Sequence, residues 1–164
     1  MTTASAVTTI PEDLVEFLHG GVAILIGTRD HDMRPATQRA GGARVHANRR
    51  KVDVFLPERS GERTIANVRA NGRLAVTFSR AIDHRTVQLK GNAAVIRPGR
   101  PDEEAITQQY LETWGAAVEL IGMPRSTIKR LWAWPSVVVE LDVEAIFEQT
   151  PGPAAGAKLA GGAT

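Results

Sequence analysis

Cysteine is absent from the 164 residues. That removes disulfides, thiolate nucleophiles, zinc–thiolate centres and iron–sulfur clusters from consideration. It also fits a reducing compartment, and a cytoplasmic location is the expectation. Aromatic residues are scarce: four Phe, three Trp and one Tyr. No strand-like segment gathers them, so the stacking platform of single-strand nucleic-acid binders is missing. Charge of one sign is lacking too. Twenty Lys and Arg against 18 Asp and Glu leave a net charge of +2, too balanced for the dense basic face that nucleic acid requires. No nucleic-acid partner is expected. The longest apolar run near the start, Val22 to Ile26, is strand-sized and far short of the ~20 residues that cross a bilayer, so no membrane association is expected. MTTASAVTT at the N-terminus has no basic region followed by an apolar one, so it does not read as a secretory leader. The signatures GxSxG, GxxxxGK[ST] and GxGxxG are missing, and with them the direct pointers to a serine hydrolase, a P-loop or a dinucleotide fold. His19, His31, His46 and His84 are scattered without HxH or HExxH spacing, and no metal site is expected.

What is present is an ordinary globular composition, 43% hydrophobic and 23% charged, in a chain the size of one domain. Thr9-Ile10-Pro11-Glu12 reads as a helix start, with Thr9 as cap, Pro11 in the first turn and Glu12 completing a capping box. Leu14, Phe17 and Leu18 form its apolar stripe, and Gly20-Gly21 ends it. His19, at its C-terminal end, stands where a partly cationic ring is favoured. VAILIGT (22–28) reads as a buried strand, Pro35 begins a second, and Gly41-Gly42 marks a bend. Val52, Val54 and Leu56 alternate in a third. LAVTF (74–78), RTVQLKG (85–91) running on towards Ile96, and SVVVELDVEAIFE (136–148) supply three more. Asp102 opens a helix carrying Ile106, Tyr110 and Trp114 at helical spacing, and a second late helix spans 124–133. Six strands broken by short helices predict a mostly β protein with peripheral helices, a six-stranded antiparallel barrel. Residues 1–9 form an N-terminal arm, 10–149 the barrel domain and 150–164 a flexible Pro/Gly/Ala-rich tail.

The stretch from Phe55 to Gly91 is the most informative. A strand ends at Leu56, and the polar turn Glu58-Arg59-Ser60-Gly61-Glu62-Arg63-Thr64 opens a short helix that Asn71-Gly72 closes. Hydroxyls, a glycine and arginines at a helix start suit a phosphate. The first backbone N–H groups have no intrahelical partner, and the helix dipole favours negative charge. The same residues could equally cap and solvate a helix start.

This order of elements resembles the pyridoxamine 5'-phosphate oxidase-like family, the FMN-binding split barrel. The resemblance rests on VAILIGTRD, on the strand after Pro35, on VFLP with its Ser/Thr–basic turn and the helix RTIANVRANGRLAV, and on RTVQLKG. It covers roughly residues 10–148. It implies a split β-barrel homodimer with FMN at the subunit interface, acting as an oxidoreductase on a small organic substrate. Carried onto this chain, Arg39 is similar to the strand-side phosphate contact. Ser60, Arg63 and Thr64 are similar to the turn-side contacts, and Leu56, at the end of the strand before them, is counted with them among the expected cofactor-binding residues. Gln88 is similar to the polar residue of the later strand that approaches the flavin or its ribityl chain. Relatives of this kind also bind a deazaflavin or haem, and the alternative reading is a non-catalytic flavin- or haem-binding stress or carrier protein on the same barrel.

The departures bear on the substrate. The stretch Gln38-Arg39-Ala40-Gly41-Gly42-Ala43-Arg44 has no lysine where the oxidases themselves carry one, and FEQTPGP replaces their Trp- and Arg-rich C-terminal segment. The resemblance therefore stops short of vitamin B6 oxidation. No residue is assigned as a general acid or base, because a flavin accepts hydride without one. Arg39 and Arg44 also read as surface charges that protect an edge strand. Trp114, Trp132 and Trp134 read as packing of the late helices, with Trp132 or Trp134 as an alternative wall for a flavin ring.

Overall fold

The computed structural model describes residues 8–131 and 133–161. The elements run α1 (Glu12–His19), β1 (Val22–Arg29), β2 (Pro35–Arg39), β3 (Ala43–Val45), β4 (Lys51–Pro57), α2 (Glu62–Asn71), β5 (Arg73–Arg80) and β6 (Thr86–Pro98). A 3₁₀ turn at Pro101–Glu103 leads into α3 (Glu104–Glu119), α4 (Arg125–Lys129), β7 (Ser136–Glu148) and β8 (Lys158–Gly161). All strand pairings are antiparallel, and the order across the sheet is β2-β1-β5-β6-β7-β4-β3, with β8 added on β7.

β2 and β3 lie at opposite ends of that order yet are joined in the chain by only three residues. The sheet must therefore curl until its edges meet. Gly41 N–H donates to the Phe55 carbonyl at 2.7 Å and Phe55 N–H to the Gly42 carbonyl at 3.0 Å, so the bend itself pairs with β4. Gly42 takes φ +148°, a conformation that favours glycine. The expected bend at Gly41-Gly42 is present, and a short extra strand follows it. The structure holds eight strands where six were expected: β3 and β8 are the additions. β8 lies within the segment read as a flexible tail, where Ala160 pairs with Ile146. Most of the expected N-terminal arm, residues 1–7, lies outside the described residues.

Alternation in the strands builds the core. Ile24, Ile26, Val76, Phe78, Leu89, Val139, Leu141 and Ile146 are all buried, as side chains that alternate between two faces require. α2 lays Ile65 and Val68 on the same core, and Gly72 at φ +71° ends it in the left-handed conformation. The expected capping box of α1 does not form: no side chain caps that helix. Its neighbour Thr8 donates its hydroxyl to the Glu144 carbonyl at 2.9 Å, which ties the chain before α1 to β7.

Two of the sequence expectations for charged groups change. Arg44 is not a free surface charge: it bonds Asp53 at 2.5 Å and Glu103 at 2.8 Å. Arg97 grips Glu103 through two hydrogen bonds of 2.7 and 2.8 Å. His19 accepts a hydrogen bond at Nε2 from the Val45 N–H at 3.0 Å, and burial pushes its pKa below the usual histidine value. Its ring is a neutral acceptor, not a cation serving the helix dipole.

Candidate functional site

The turn between β4 and α2 opens onto a cleft of about 390 Å³. Thr37, Gln38 and Arg39 of β2, Pro57, Ser60 and Leu111 of α3 are among its walls. Two features stand at this corner. No side chain caps α2, so the N–H groups of its first turn have no intrahelical or side-chain acceptor. And Gln38, nearly buried, is half satisfied. Its Nε2 donates to the Pro57 carbonyl at 3.3 Å and to Ser60 Oγ at 3.2 Å, while Oε1 has no partner. A buried acceptor without a donor is uncommon.

Strand geometry explains why Gln38 and its neighbour differ. Gln38 pairs with Ile26 and Arg39 with Leu25. Ile26 is core and Leu25 is exposed, and directly opposed residues share a face. Gln38 therefore points inward, towards the turn. Arg39 points outward, and its guanidinium lies 4.1 Å from the centre of the Trp114 ring. Singling out Arg39 from the sequence misses Gln38, although a signal for it exists. In a strand that begins at Pro35, residues 36, 38 and 40 fall on one face, and a glutamine between two alanines on an inward face needs a polar partner.

The remaining expected residues separate into three groups. Ser60 and Arg63 are exposed at the turn and the first turn of α2, and no hydrogen bond or ion pair holds Arg63 among the described residues. Thr64 and Leu56 are buried. Leu56 is wholly enclosed, so it sets where the turn begins and offers a ligand no side-chain surface. Thr64 is nearly enclosed and supplies its backbone N–H more readily than its hydroxyl. Gln88 stands apart from the turn, on β6, where its Nε2 donates to Thr77 Oγ1 at 2.9 Å.

Gln88 and Arg39 nevertheless belong together. The pairings Arg39–Leu25, Leu25–Thr77, Thr77–Gln88 and Gln88–Phe147 run as one row across five strands. At about 4.8 Å per strand, Arg39 and Gln88 are roughly 14 Å apart on one face of the sheet. Leu25 is 42% exposed within that row, and Gly27 beside it faces open space.

Other expected features contribute less. Trp114 is buried beneath Arg39 and stacks on Tyr110 with centroids 5.8 Å apart. Trp134 packs over Gly99. Trp132 lies outside the described residues. His46, Asp53 and Glu140 bring ligand atoms within 4.8 Å of one another. Arg44 holds Asp53 and Lys51 holds Glu140, each at 2.5 Å, so cations already satisfy both carboxylates.

Among the described residues no helix is long and apolar enough to cross a membrane. No curated protein sequence matches the chain. Solved structures match its fold at low sequence identity. HupZ of Group A Streptococcus is 17% identical with a TM-score of 0.56, over 90% of this chain and all of that one. An F420 reductase is 13% identical with a TM-score of 0.55, over 84% of this chain and 98% of the other. An FMN-binding protein from Syntrophomonas wolfei subsp. wolfei is 8% identical with a TM-score of 0.53, over 82% and 85%. At such identities the likeness shows the shared split barrel alone. The sequence itself goes further, because the pyridoxamine 5'-phosphate oxidase family model matches residues 10–150. The chain belongs to the pyridoxamine 5'-phosphate oxidase family.

Proposed function

We propose that this chain is an FMN-dependent oxidoreductase acting on a small organic substrate, as a homodimer with the cofactor at the subunit interface. The observation that carries the reading is the uncapped start of α2, which directly follows Ser60 on the wall of a cleft that Gln38 also lines. A phosphate suits this corner. The first-turn N–H groups and Ser60 Oγ are donors, and Arg63 supplies an unpaired, permanently charged guanidinium. Gln38 Oε1 is enclosed beside Gly61 and cannot serve a phosphate oxygen, so the part of Gln38 is to hold the turn through its Nε2.

The outer row from Arg39 to Gln88 supports the dimer. It combines polar ends with exposed Leu25 and the bare backbone of Gly27, a surface on which a second copy could close a flat ring. When bound, FMN supplies two-electron transfer, taking hydride from a donor such as NAD(P)H and passing electrons to an organic acceptor or oxygen. The chain's own part is to bind and orient. Arg63 and the α2 amides fix the phosphate, Gln38 fixes the turn against β2, and Gln88, held by Thr77, presents its remaining amide oxygen on the outer row. The shared fold with an F420 reductase makes a deazaflavin the nearest substitute.

The test is an absorption spectrum of the purified protein, followed by titration with FMN. Bands near about 370 and 450 nm that co-purify with the chain support FMN. A single band near about 400 nm would assign haem. Failure to take up FMN, with uptake of a deazaflavin, would replace the cofactor. Turnover with NAD(P)H and an acceptor then separates an enzyme from a carrier.

A further inference from the structure

A polar cleft lies between α1 and the turn that joins β5 to β6. It holds about 350 Å³, with Asp13, Glu16 and Phe17 on the α1 side, Arg80 and Arg85 on the other, and Gly20-Gly21 also on its wall. It shares no wall residue with the cleft at the α2 turn. Helical spacing sets the first wall. Asp13 lies three residues before Glu16 and four before Phe17, so the three share one side of α1. The β5–β6 turn sets the second. Arg80 N–H donates to the Arg85 carbonyl at 2.9 Å. The Asp83 carboxylate accepts from Arg80 Nε at 2.9 Å and from the Arg85 backbone N–H at 3.2 Å. Both guanidinium groups then stand over the Phe17 ring, Arg85 at 4.6 Å from its centre and Arg80 at 5.6 Å.

The charges on the two walls do not answer each other. Arg80 is engaged by Asp83. Arg85 is half-buried against Phe17, and among the described residues its guanidinium makes no hydrogen bond or ion pair. Glu148 attracts it only from beyond ion-pair distance, and Glu148 Oε1 already accepts from the Thr150 N–H at 2.7 Å. Across the cleft, the carboxylates of Asp13 and Glu16 also form no hydrogen bond or ion pair among the described residues. Glu16 sits in the second half of α1, where the helix dipole adds negative potential. A guanidinium laid on a ring keeps its edge N–H groups free to bind. One unanswered cation and two unanswered carboxylates therefore face a single gap.

We propose that this cleft is a second binding site, for a small amino acid in its zwitterionic form, one carboxylate and one primary ammonium. The carboxylate takes the edge of Arg85 in a charge-assisted pair. The ammonium takes Glu16, with Asp13 adding to the field that holds it. A simple anion would meet Arg85 but face two carboxylates, and a simple amine would meet the carboxylates but face Arg85. Only a molecule bearing both charges answers both walls. The site is separate from the cleft at the α2 turn and does not depend on FMN binding there.

Calorimetric titration of the full chain with glycine, 4-aminobutyrate and 6-aminohexanoate tests this, with hexanoate and hexylamine as singly charged controls. The three zwitterions differ in the separation of their charges. The best of them is expected to bind at least about tenfold more tightly than either control. Arg85→Gln is expected to weaken that zwitterion at least about tenfold, as loss of a charge-assisted bond does, without weakening hexylamine. Glu16→Gln is expected to weaken it by about three- to tenfold without weakening hexanoate. If Arg85→Gln does not fold, Glu16→Gln, on the outer side of α1, decides alone. Excess FMN is expected to leave the affinity unchanged. The proposal is overturned if no zwitterion binds, if either control binds as tightly, if the folded variants leave the affinity unchanged, or if FMN displaces the zwitterion.

Discussion

The side-chain amide of Gln38 occupies the space that a side chain at Gly61 would need. A Cβ at residue 61 would fall 2.7 Å from Gln38 Oε1, 2.9 Å from its Nε2 and 3.0 Å from the Pro57 carbonyl. Gly61 has φ −99°, which any residue adopts, so the constraint is close approach and not backbone strain. Gly61→Ala is expected to push the amide off Pro57 and Ser60, lowering stability by about 1–2 kcal/mol in denaturant titration and FMN affinity by about tenfold. In a Gln38→Ala background the same substitution should cost less, with a coupling of at least about 0.5 kcal/mol. Strict additivity would mean that the two residues do not act through each other.

Arg63 offers a cleaner separation of fold from binding. It is exposed, and no described residue pairs with it. Arg63→Glu is expected to leave the denaturation midpoint of the cofactor-free protein within about 0.5 kcal/mol. A charge-assisted bond to phosphate contributes about 1.5–3 kcal/mol, so FMN affinity should fall about 10- to 100-fold or more. Flavin fluorescence quenching measures the affinity and denaturant titration the stability, both on one preparation. Unaltered FMN affinity would remove Arg63 from the phosphate site.

Most of the barrel is legible in the sequence because its signals are local. Two-residue alternation places β1, β4, β5 and β7, and Pro35 and Gly72 mark a strand start and a helix end wherever the rest of the chain goes. β3 escapes because three half-buried residues, Ala43-Arg44-Val45, are too few to show a period. β8 escapes because Lys158, Leu159 and Gly161 are exposed and only Ala160 is partly covered. Such a segment carries no alternation, and pairing with β7 alone defines the strand. The site divides in the same way. A polar turn before a helix is visible in sequence, whereas the Arg44–Glu103 pair joins residues 59 apart. Such a contact exists only once β3, β6 and the 3₁₀ turn have met.

Gly91 is where the long β6–β7 ladder shifts register, between Lys90 and Gly91. A Cβ there would lie 1.9 Å from the Asp142 carbonyl oxygen. That neighbour is backbone inside a paired strand and cannot move without breaking the ladder. Gly91→Ala is expected to cost more than about 3 kcal/mol, in the range of severe overpacking, and to lower the yield of folded protein. Equilibrium denaturation should show the loss in full without added cofactor. A loss below about 1 kcal/mol would mean that the bulge relaxes to admit a methyl group.

Glu103 makes folding sensitive to acid. The two Arg97 hydrogen bonds are the largest influence on its carboxyl. Burial opposes them, and the Arg100 N–H and Arg44 add to them, so the pKa falls from 4.5 to about 2. A carboxylate whose folded pKa is depressed contributes its full stability above the unfolded value and loses it as pH falls through the folded one. The window is therefore about pH 4.5 down to 2. The shift corresponds to roughly 3 kcal/mol at neutral pH, and the side chain is only 2% exposed, so solvent screening removes little of it. Glu103→Gln is expected to lower stability at pH 7 by an amount of that order, because two arginines lose their shared anion, and to flatten the dependence of stability on pH across that window. Denaturant titrations of both proteins at about pH 7, 4.5 and 3 measure the difference. Parallel curves across the window would show that the acid sensitivity arises from other carboxylates.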